Sequence, residues 1–221
     1  MLDARDSARI DGHNEGVTQP RAPFARHAAS LLVWHDSADG VVVLMGMRGA
    51  GARFVPNRLV FPGGRVDPPD AAAAAAAEPR PEVLALLGAR TRPRLARAIV
   101  YAAARELVEE TGLSLGTPPC LDAIDHLCRA VTPPRQPIRF NARFLVVHAR
   151  HTAGTLTDSA ELHDLRFIPV HTAAELGLML VTSEVLRQFQ LWLAMPETER
   201  RARTEAPLFR EKNWQQETLL R

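Results

Sequence analysis

An acidic cluster at the end of a helix places the strongest constraint on what this chain can be. Residues 105–113 read Arg-Glu-Leu-Val-Glu-Glu-Thr-Gly-Leu and close a long helix-forming run. At about 100° per residue, Glu106, Glu109 and Glu110 share one helix face. Each carboxylate near the C-terminal end of a helix costs roughly 0.3–1 kcal/mol, and the three also repel one another. The pattern therefore predicts a bound divalent cation, because hard cations such as Mg²⁺ prefer clustered carboxylate oxygens.

The composition limits the class of protein. A length of 221 residues fits one domain with appendages, and a net charge of +2 gives no general reason to bind nucleic acid or an anionic membrane. No run approaches the roughly 20 apolar residues of a membrane span, and the N-terminus does not have the pattern of a secretory signal. Cys120 and Cys128 form no CxxC pattern, which is typical of a reduced compartment. We expect a soluble, cytoplasmic protein.

Hydrophobic periodicity and turn residues predict an α+β chain with a mixed sheet packed by helices. The helix before the acidic cluster has the clearest apolar stripe, and Ser183 is the expected N-cap of a later helix. A Pro-Gly-Gly turn ends the third strand, where glycines allow a close approach of the backbone to a ligand. The predicted strands are 28–34, 41–47, 59–61, 121–130, 139–147 and 164–170, and the predicted helices are 94–111 and 183–195.

The domain organisation follows from changes in composition along the chain. Residues 1–26 are expected to form a flexible arm, and 27–196 the main domain. Within that domain, about 71–93 is rich in Ala and Pro and predicts an exposed insertion with two short helices, 71–78 and 83–87. The charged segment 197–221 is expected to be a loosely packed helical tail.

These motifs resemble the Nudix box. That pattern places a glycine six residues before an acid, and later Arg-Glu-apolar-x-Glu-Glu-x-Gly-apolar, which residues 105–113 match at every specified position. The first acid falls on Asp70 when counted forward from Gly64, but on Arg97 when counted back from Arg105; we prefer Asp70, because this choice keeps the turn intact. The resemblance implies a Nudix-type α/β/α sandwich with a mixed β-sheet and a helical insertion inside the box.

An interrupted box is similar to the Nudix branch that includes eukaryotic peroxisomal coenzyme A diphosphatases, as are segments 129–134, 139–144 and 161–162. This resemblance implies a small-molecule substrate that contains a nucleoside diphosphate, with coenzyme A compounds favoured over nucleotide sugars. It implies neither nucleic acid nor membrane as a partner. The insertion is interpreted as a lid, a dimer contact or a spacer, so a homodimer stays open.

The resemblance also implies the chemistry: hydrolysis of a diphosphate with Mg²⁺ or Mn²⁺ and a water nucleophile. Its metal ligands map onto Glu106, Glu109 and Glu110, with a backbone carbonyl at Gly63 or Gly64, of which Gly64 is preferred. Arg105 lies one turn before Glu109, and a charge-assisted bond from its guanidinium would orient that catalytic carboxylate.

The resemblance further implies a general base that comes either from the box or from a glutamate in a later loop. Glu161, in a loop before a strand, is the preferred general base, and Asp158 is the second choice. Arg139 and Arg143 share one face of a predicted strand and are candidates for phosphate contact. An alternative hypothesis is a Nudix-fold module that senses a nucleotide without cleaving it.

Overall fold

The computed structural model describes residues 23–51, 55–89 and 91–218, with only the backbone of Ala174. Most of the arm predicted over 1–26 therefore lies outside the described residues. The helices and strands, with three short 3₁₀ turns, occupy most of what is described. The strands are β1 (Arg26–Ser37), β2 (Gly40–Arg48), β3 (Leu59–Val60), β4 (Gly63–Arg65), β5 (Leu113–Ser114), β6 (Asp125–Val131), β7 (Phe140–His148), β8 (Ala153–Gly154), β9 (Leu162–Pro169), β10 (Glu205–Arg210) and β11 (Asn213–Thr218). The helices are α1 (Pro81–Gly88), α2 (Pro93–Thr111), α3 (Leu180–Ala194) and α4 (Glu197–Arg201).

Within the described residues, nine of the strands form one mixed sheet. Its order is β11-β10-β6-β7-β1-β2-β3, with β4 also pairing with β1 and β9 with β2. The β1–β7 and β6–β10 pairs are parallel, whereas the other pairs are antiparallel. Because β4 pairs with residues 28–30 of β1, it brings Gly63 and Gly64 to the middle of the sheet.

Helices cover both faces of this sheet, so the predicted α/β/α sandwich is confirmed. Successive residues of a strand point to opposite faces, and Leu31 and Leu32 of β1 accordingly enter two different cores. The first core lies against α1 and α2, and the second against α3, where Phe189 is fully buried. No described helix is both long and apolar enough to cross a membrane.

Helix α2 matches its prediction closely. Pro93 occupies its first turn, where the missing N–H removes no helical hydrogen bond. The predicted apolar stripe is buried against the sheet, and Gly112 ends the helix with φ 73°, a conformation that favours glycine. The buried stripe consists of Ala96, Val100, Ala103 and Leu107.

The insertion differs from its prediction. Helix α1 confirms the second short helix, but residues 71–78 are not an α-helix. Instead, Ala77 bridges to Cys120, and the Ala76 N–H donates to the Pro119 carbonyl. Val83 of α1 is buried in the core, so this segment packs onto the domain rather than lying loosely on its surface.

The C-terminal prediction was wrong. After the short helix α4, the chain forms the hairpin β10–β11, which adds two strands to the sheet beside β6. The predicted cap of α3 was also wrong, because that helix begins at Leu180 and the Ser183 hydroxyl donates to the Met179 carbonyl. The remaining predicted strands correspond to β1, β2, β3, β6, β7 and β9, with shifts at their ends.

Candidate active site

The C-terminal turn of α2 faces the glycines of β4. The Gly63 N–H donates to Glu110 Oε2 at 2.7 Å. A Cβ atom on Gly64 would lie 2.3 Å from Glu106 Oε1, so only glycine allows this carboxylate to approach the backbone. The structure therefore brings together the two parts of the motif, which are more than forty residues apart in the sequence.

Arg105 joins the acids around this junction. Its Nε and Nη2 atoms donate to the two Asp70 oxygens at 2.9 and 3.2 Å. Its Nη1 atom donates to Glu106 Oε1 at 2.8 Å and to Glu109 Oε2 at 2.9 Å. The hydrogen bonds to Asp70 are the main reason that the pKa of Arg105 lies above its ordinary value. The predicted contact with Glu109 is present, but the bidentate pair with Asp70 is the more extensive contact.

The environment of Asp70 favours it over Arg97 as the position of the first acid. Asp70 is 2% exposed and also accepts the Asp67 N–H at 2.7 Å. Arg97 instead donates to the Asp70 and Ala73 carbonyls and to Glu78. Arg97 therefore fastens the insertion to α2, whereas Asp70 fixes the orientation of Arg105.

The three glutamates differ in burial. The side chain of Glu109 is 55% exposed and that of Glu106 is 12% exposed, whereas Glu110 is 2% exposed. Burial raises the pKa of Glu110 to about 8, opposed by the Gly63 N–H, and burial also raises the pKa of Glu106, opposed by Arg105. The Glu110 Oε1 atom is buried without a partner among the described residues. A buried carboxylate oxygen without a partner is unfavourable unless a cation compensates it.

The chemistry of these donors suits a hard divalent cation, since it consists of carboxylate oxygens beside a backbone turn. Among the described residues, however, no three acidic, His or Cys side chains already converge on a single metal position. Arg105 accounts for this arrangement, because it holds Glu106 and Glu109 by hydrogen bonds. Metal binding by Glu106, Glu109, Glu110 and Gly64 therefore requires side-chain rotation, and this ligand set remains a prediction.

Glu161 lies beside this acidic cluster. Its negative charge contributes to raising the pKa values of Glu106 and Glu110. Its side chain is 68% exposed and lies 3.9 Å from Arg48 Nη2. The carboxylate of Asp158, by contrast, accepts the N–H groups of Asp164 and Leu165. Both residues are exposed, but both oxygens of Asp158 already accept backbone hydrogen bonds, so Glu161 is the better candidate base.

Arg48 is the residue near this site that sequence reasoning missed. It ends β2, its Nε atom is buried without a partner among the described residues, and its charge lowers the pKa of Glu110. In the sequence it begins a short Gly-rich stretch that reads as an ordinary loop. Its position at the end of a strand could have marked Arg48 as a candidate site residue. The sequence does not show what this strand end lies beside, because the partner strand β9 is more than a hundred residues later.

The two predicted phosphate-binding arginines both make contacts within the protein. Arg139 donates to the Thr132 and Pro23 carbonyls. Arg143 is 2% exposed and donates to Thr91 Oγ1 at 2.8 Å. Such burial is inconsistent with substrate contact by Arg143, whereas the role of Arg139 remains a prediction.

Comparison with known proteins gives a likeness of structure. No family model matches the chain, and no significant match exists among curated proteins. The structure is similar to a NUDIX hydrolase from Alicyclobacillus acidocaldarius, with 25% identity, a TM-score of 0.59, and coverage of 74% of this chain and 90% of that one. It is also similar to the NUDIX domain of Shewanella oneidensis NrtR in complex with ADP ribose, with 14% identity, a TM-score of 0.53, and coverage of 78% and 90%. A MutT protein from Methanosarcina mazei has 13% identity, a TM-score of 0.51, and coverage of 77% and 96%.

At identities below 25%, the second and third of these likenesses show the fold alone. The Alicyclobacillus protein, at 25% identity, supports the prediction of a pyrophosphohydrolase enzyme, and the coenzyme A branch finds no counterpart among these three neighbours. The chain therefore has the Nudix fold, and a NUDIX hydrolase is among the solved structures that it resembles.

Proposed function

We propose that the protein hydrolyses the diphosphate linkage of a nucleoside diphosphate derivative with Mg²⁺ or Mn²⁺. The observation that carries this proposal is the junction of α2 and β4, where Glu110 accepts the Gly63 N–H and its other oxygen has no partner among the residues that the structure describes. A divalent ion bound by Glu106, Glu109, Glu110 and the Gly64 carbonyl would neutralise phosphate charge and acidify a water molecule. Coenzyme A compounds are the proposed substrate class, on the resemblance of the interrupted box.

The other residues have distinct proposed roles. Arg105 is a positioning residue, because it binds Glu106 and Glu109 while Asp70 fixes its guanidinium plane. Glu161 is the proposed general base, since its exposed carboxylate can take a proton from the attacking water. Arg48 lies 3.9 Å from Glu161 and its positive charge also acts on Glu110, so it would limit the repulsion between these two acids.

The alternative is a nucleotide-sensing module without turnover. The observation in its favour is that Arg105 occupies the carboxylates that a metal would need. The two hypotheses differ in whether ligand binding is followed by cleavage. We also propose a cytoplasmic location, which the two free cysteines support.

The experiment measures release of products from coenzyme A, NADH, ADP-ribose and nucleoside triphosphates, each with Mg²⁺, with Mn²⁺ and with EDTA. We expect metal-dependent cleavage of one diphosphate class, with coenzyme A favoured. No cleavage by the folded protein, together with ligand-induced thermal stabilisation, would favour the sensing module.

Glu109→Gln tests the assignment of the acidic site. It should lower kcat/KM by about 10²-fold or more, since an interaction with charge in the transition state is lost. Because Glu109 is exposed, the fold should be unchanged by circular dichroism. Glu199→Gln, an exposed change on α4, is the matched control and should keep full activity. An equally active Glu109→Gln enzyme would remove this residue from the mechanism.

A further inference from the structure

A cavity lies at the end of β1 that is farther from the acidic site. It has a volume of about 510 Å³, which is in the size range of small-molecule sites. Trp34 and His148, paired across β1 and β7, form part of its wall. Trp34 lies four residues beyond Ser30, the partner of Gly63, which corresponds to about 13 Å along an extended strand. The cavity is therefore separate from the acidic site.

The charged side chains of this cavity are only partly paired. Arg80 binds Asp125, and Arg201 binds Glu197 at 2.7 Å. Arg150 and Arg200 also line the cavity, and neither makes an ion pair with any residue that the structure describes. Two cationic groups are thus available to an anion within one small volume.

Two buried donors in the same wall also have no acceptor. Trp192 is 4% exposed, and its Nε1 atom has no hydrogen-bond partner among the described residues. The Arg200 guanidinium lies over that indole, 4.2 Å from the ring centroid, and its Nε atom likewise has no partner there. Trp214 differs, because its Nε1 atom donates to Glu184 at 2.6 Å. Buried donors normally have a hydrogen-bond acceptor. A bound ligand could supply the acceptor that these two N–H groups lack.

The acidic residues of the cavity indicate which functional groups a ligand would carry besides an anion. Asp36 and Asp122 are exposed at its border and form no ion pair with the described residues. Their carboxylates can accept hydrogen bonds from hydroxyl or amino groups. An aromatic ring of suitable size can also pack against Trp34, which is half-buried.

We propose that this cavity is a second binding site for a phosphorylated small molecule that carries hydroxyl or amino groups, such as a nucleoside monophosphate. The phosphate is held by Arg150 and Arg200. When the phosphate draws the Arg200 guanidinium into the cavity, the Trp192 N–H becomes accessible as a further donor. The proposal is independent of catalysis at the acidic site.

Indole N–H resonances provide a local test, because the chain has three tryptophans. The ¹⁵N-labelled protein is titrated with inorganic phosphate and with adenosine 5′-monophosphate, in EDTA and at constant ionic strength. We expect a saturable shift of the Trp192 resonance, assigned with Trp192→Phe, and no shift of the Trp214 resonance. Adenosine 5′-monophosphate should bind more tightly than phosphate and also shift the Trp34 resonance.

Substitutions distinguish specific binding in the cavity from a general effect of ionic strength. Arg200→Gln should weaken binding by about tenfold or more, the effect of losing a charged hydrogen bond. Arg150→Gln should do the same, and its exposed position leaves the fold intact even if Arg200→Gln does not fold. Arg94→Gln, an exposed change on α2, is the control and should bind normally. A linear, equal drift of all three resonances, or full affinity in Arg150→Gln, would overturn the proposal.

Discussion

Two regions of this molecule have opposite excesses of charged side chains, one acidic and one basic. At the end of α2, Glu106, Glu109, Glu110 and Glu161 outnumber the nearby arginines, and Glu109 and Glu161 are open to solvent. Across β6 and β7, basic side chains outnumber the acids, and the region is largely sealed. That basic region consists of His27, His126, Arg129, Arg143 and Arg203.

The two regions respond to burial in the same physical way. Burial raises the pKa of Glu110 to about 8 and lowers that of Arg143 to about 9, so each charge becomes easier to lose. They differ in their remaining partners. Arg143 is bound by Thr91 and by the Asn141 carbonyl, whereas one oxygen of Glu110 has no partner in the described part of the chain. Charge imbalance alone therefore does not indicate function; a buried charged group that still lacks a partner among the described residues is the better indication.

The largest effect on stability is expected from substitution of Arg105 in the acidic region. Arg105→Met leaves the buried Asp70 carboxylate without its bidentate partner, and removal of one member of a buried pair costs about 3 kcal/mol or more. Urea denaturation should show this loss in the free energy of unfolding. Arg166→Met, which breaks an exposed pair with Asp164, should cost roughly 1 kcal/mol or less. Equal losses in the two variants would mean that Asp70 does not depend on Arg105.

The basic region should control the response to acid through His126. Burial lowers the pKa of His126 to about 3, so the unfolded chain takes up this proton first, near the ordinary value of 6.5. The folded state therefore loses stability as the pH falls below about 6.5 towards 3, by up to about 1.4 kcal/mol per pH unit for this one group.

His126→Gln removes that titration, and the slope of unfolding free energy against pH should become shallower between pH 6.5 and pH 3. The comparison uses slopes, because the substitution also changes packing in the core. His151→Gln, at an exposed position, is the control and should keep most of the slope. An unchanged slope in His126→Gln would show that His126 is solvated when folded.

Glu110→Gln is expected to have a smaller effect on stability. The variant should be more stable than the native protein in EDTA but should lose the stabilisation by Mn²⁺. Gln keeps an oxygen for the Gly63 N–H but removes a carboxyl group whose ionisation is opposed by burial, which raises its pKa to about 8. In EDTA at neutral pH, the variant should be more stable by about 1 kcal/mol, because the carboxyl ionises readily in the unfolded chain but not in the folded protein. The stabilisation by Mn²⁺ that we expect of the native protein should be lost, as thermal unfolding with and without Mn²⁺ will show. A variant that keeps the full Mn²⁺ effect would exclude Glu110 as a ligand.

Local patterns predicted much of the acidic region. Helix α2 follows from its apolar period and from Gly112, and the site glutamates follow from their spacing on one face. Asp70 was chosen by counting from Gly64, and its bidentate bond with Arg105 supports that choice. The bond between Gly63 and Glu110 could be expected only through the motif, because nothing local joins these two segments.

Contacts between distant parts of the chain explain why some predictions from the sequence were wrong. The alanines of 71–78 favour a helix, but Pro79 and Pro81 follow closely and the backbone bonds instead to residues near Cys120. Charged residues in 197–221 suggested a solvated helix, yet a strand at the edge of a sheet can also be polar on its open face. The burial of Arg143 depends on Thr91, more than fifty residues earlier, and no period in β7 indicates this contact.

The hairpin β10–β11 has a practical consequence for shortened versions of this protein. It covers the edge of β6, and its residues make bonds back to the domain, from Trp214 to Glu184 and between Glu217 and Arg129. A protein cut after α4 would expose β6 backbone groups that can template pairing with another chain. Such a truncation should therefore aggregate, although it would retain all the candidate catalytic residues.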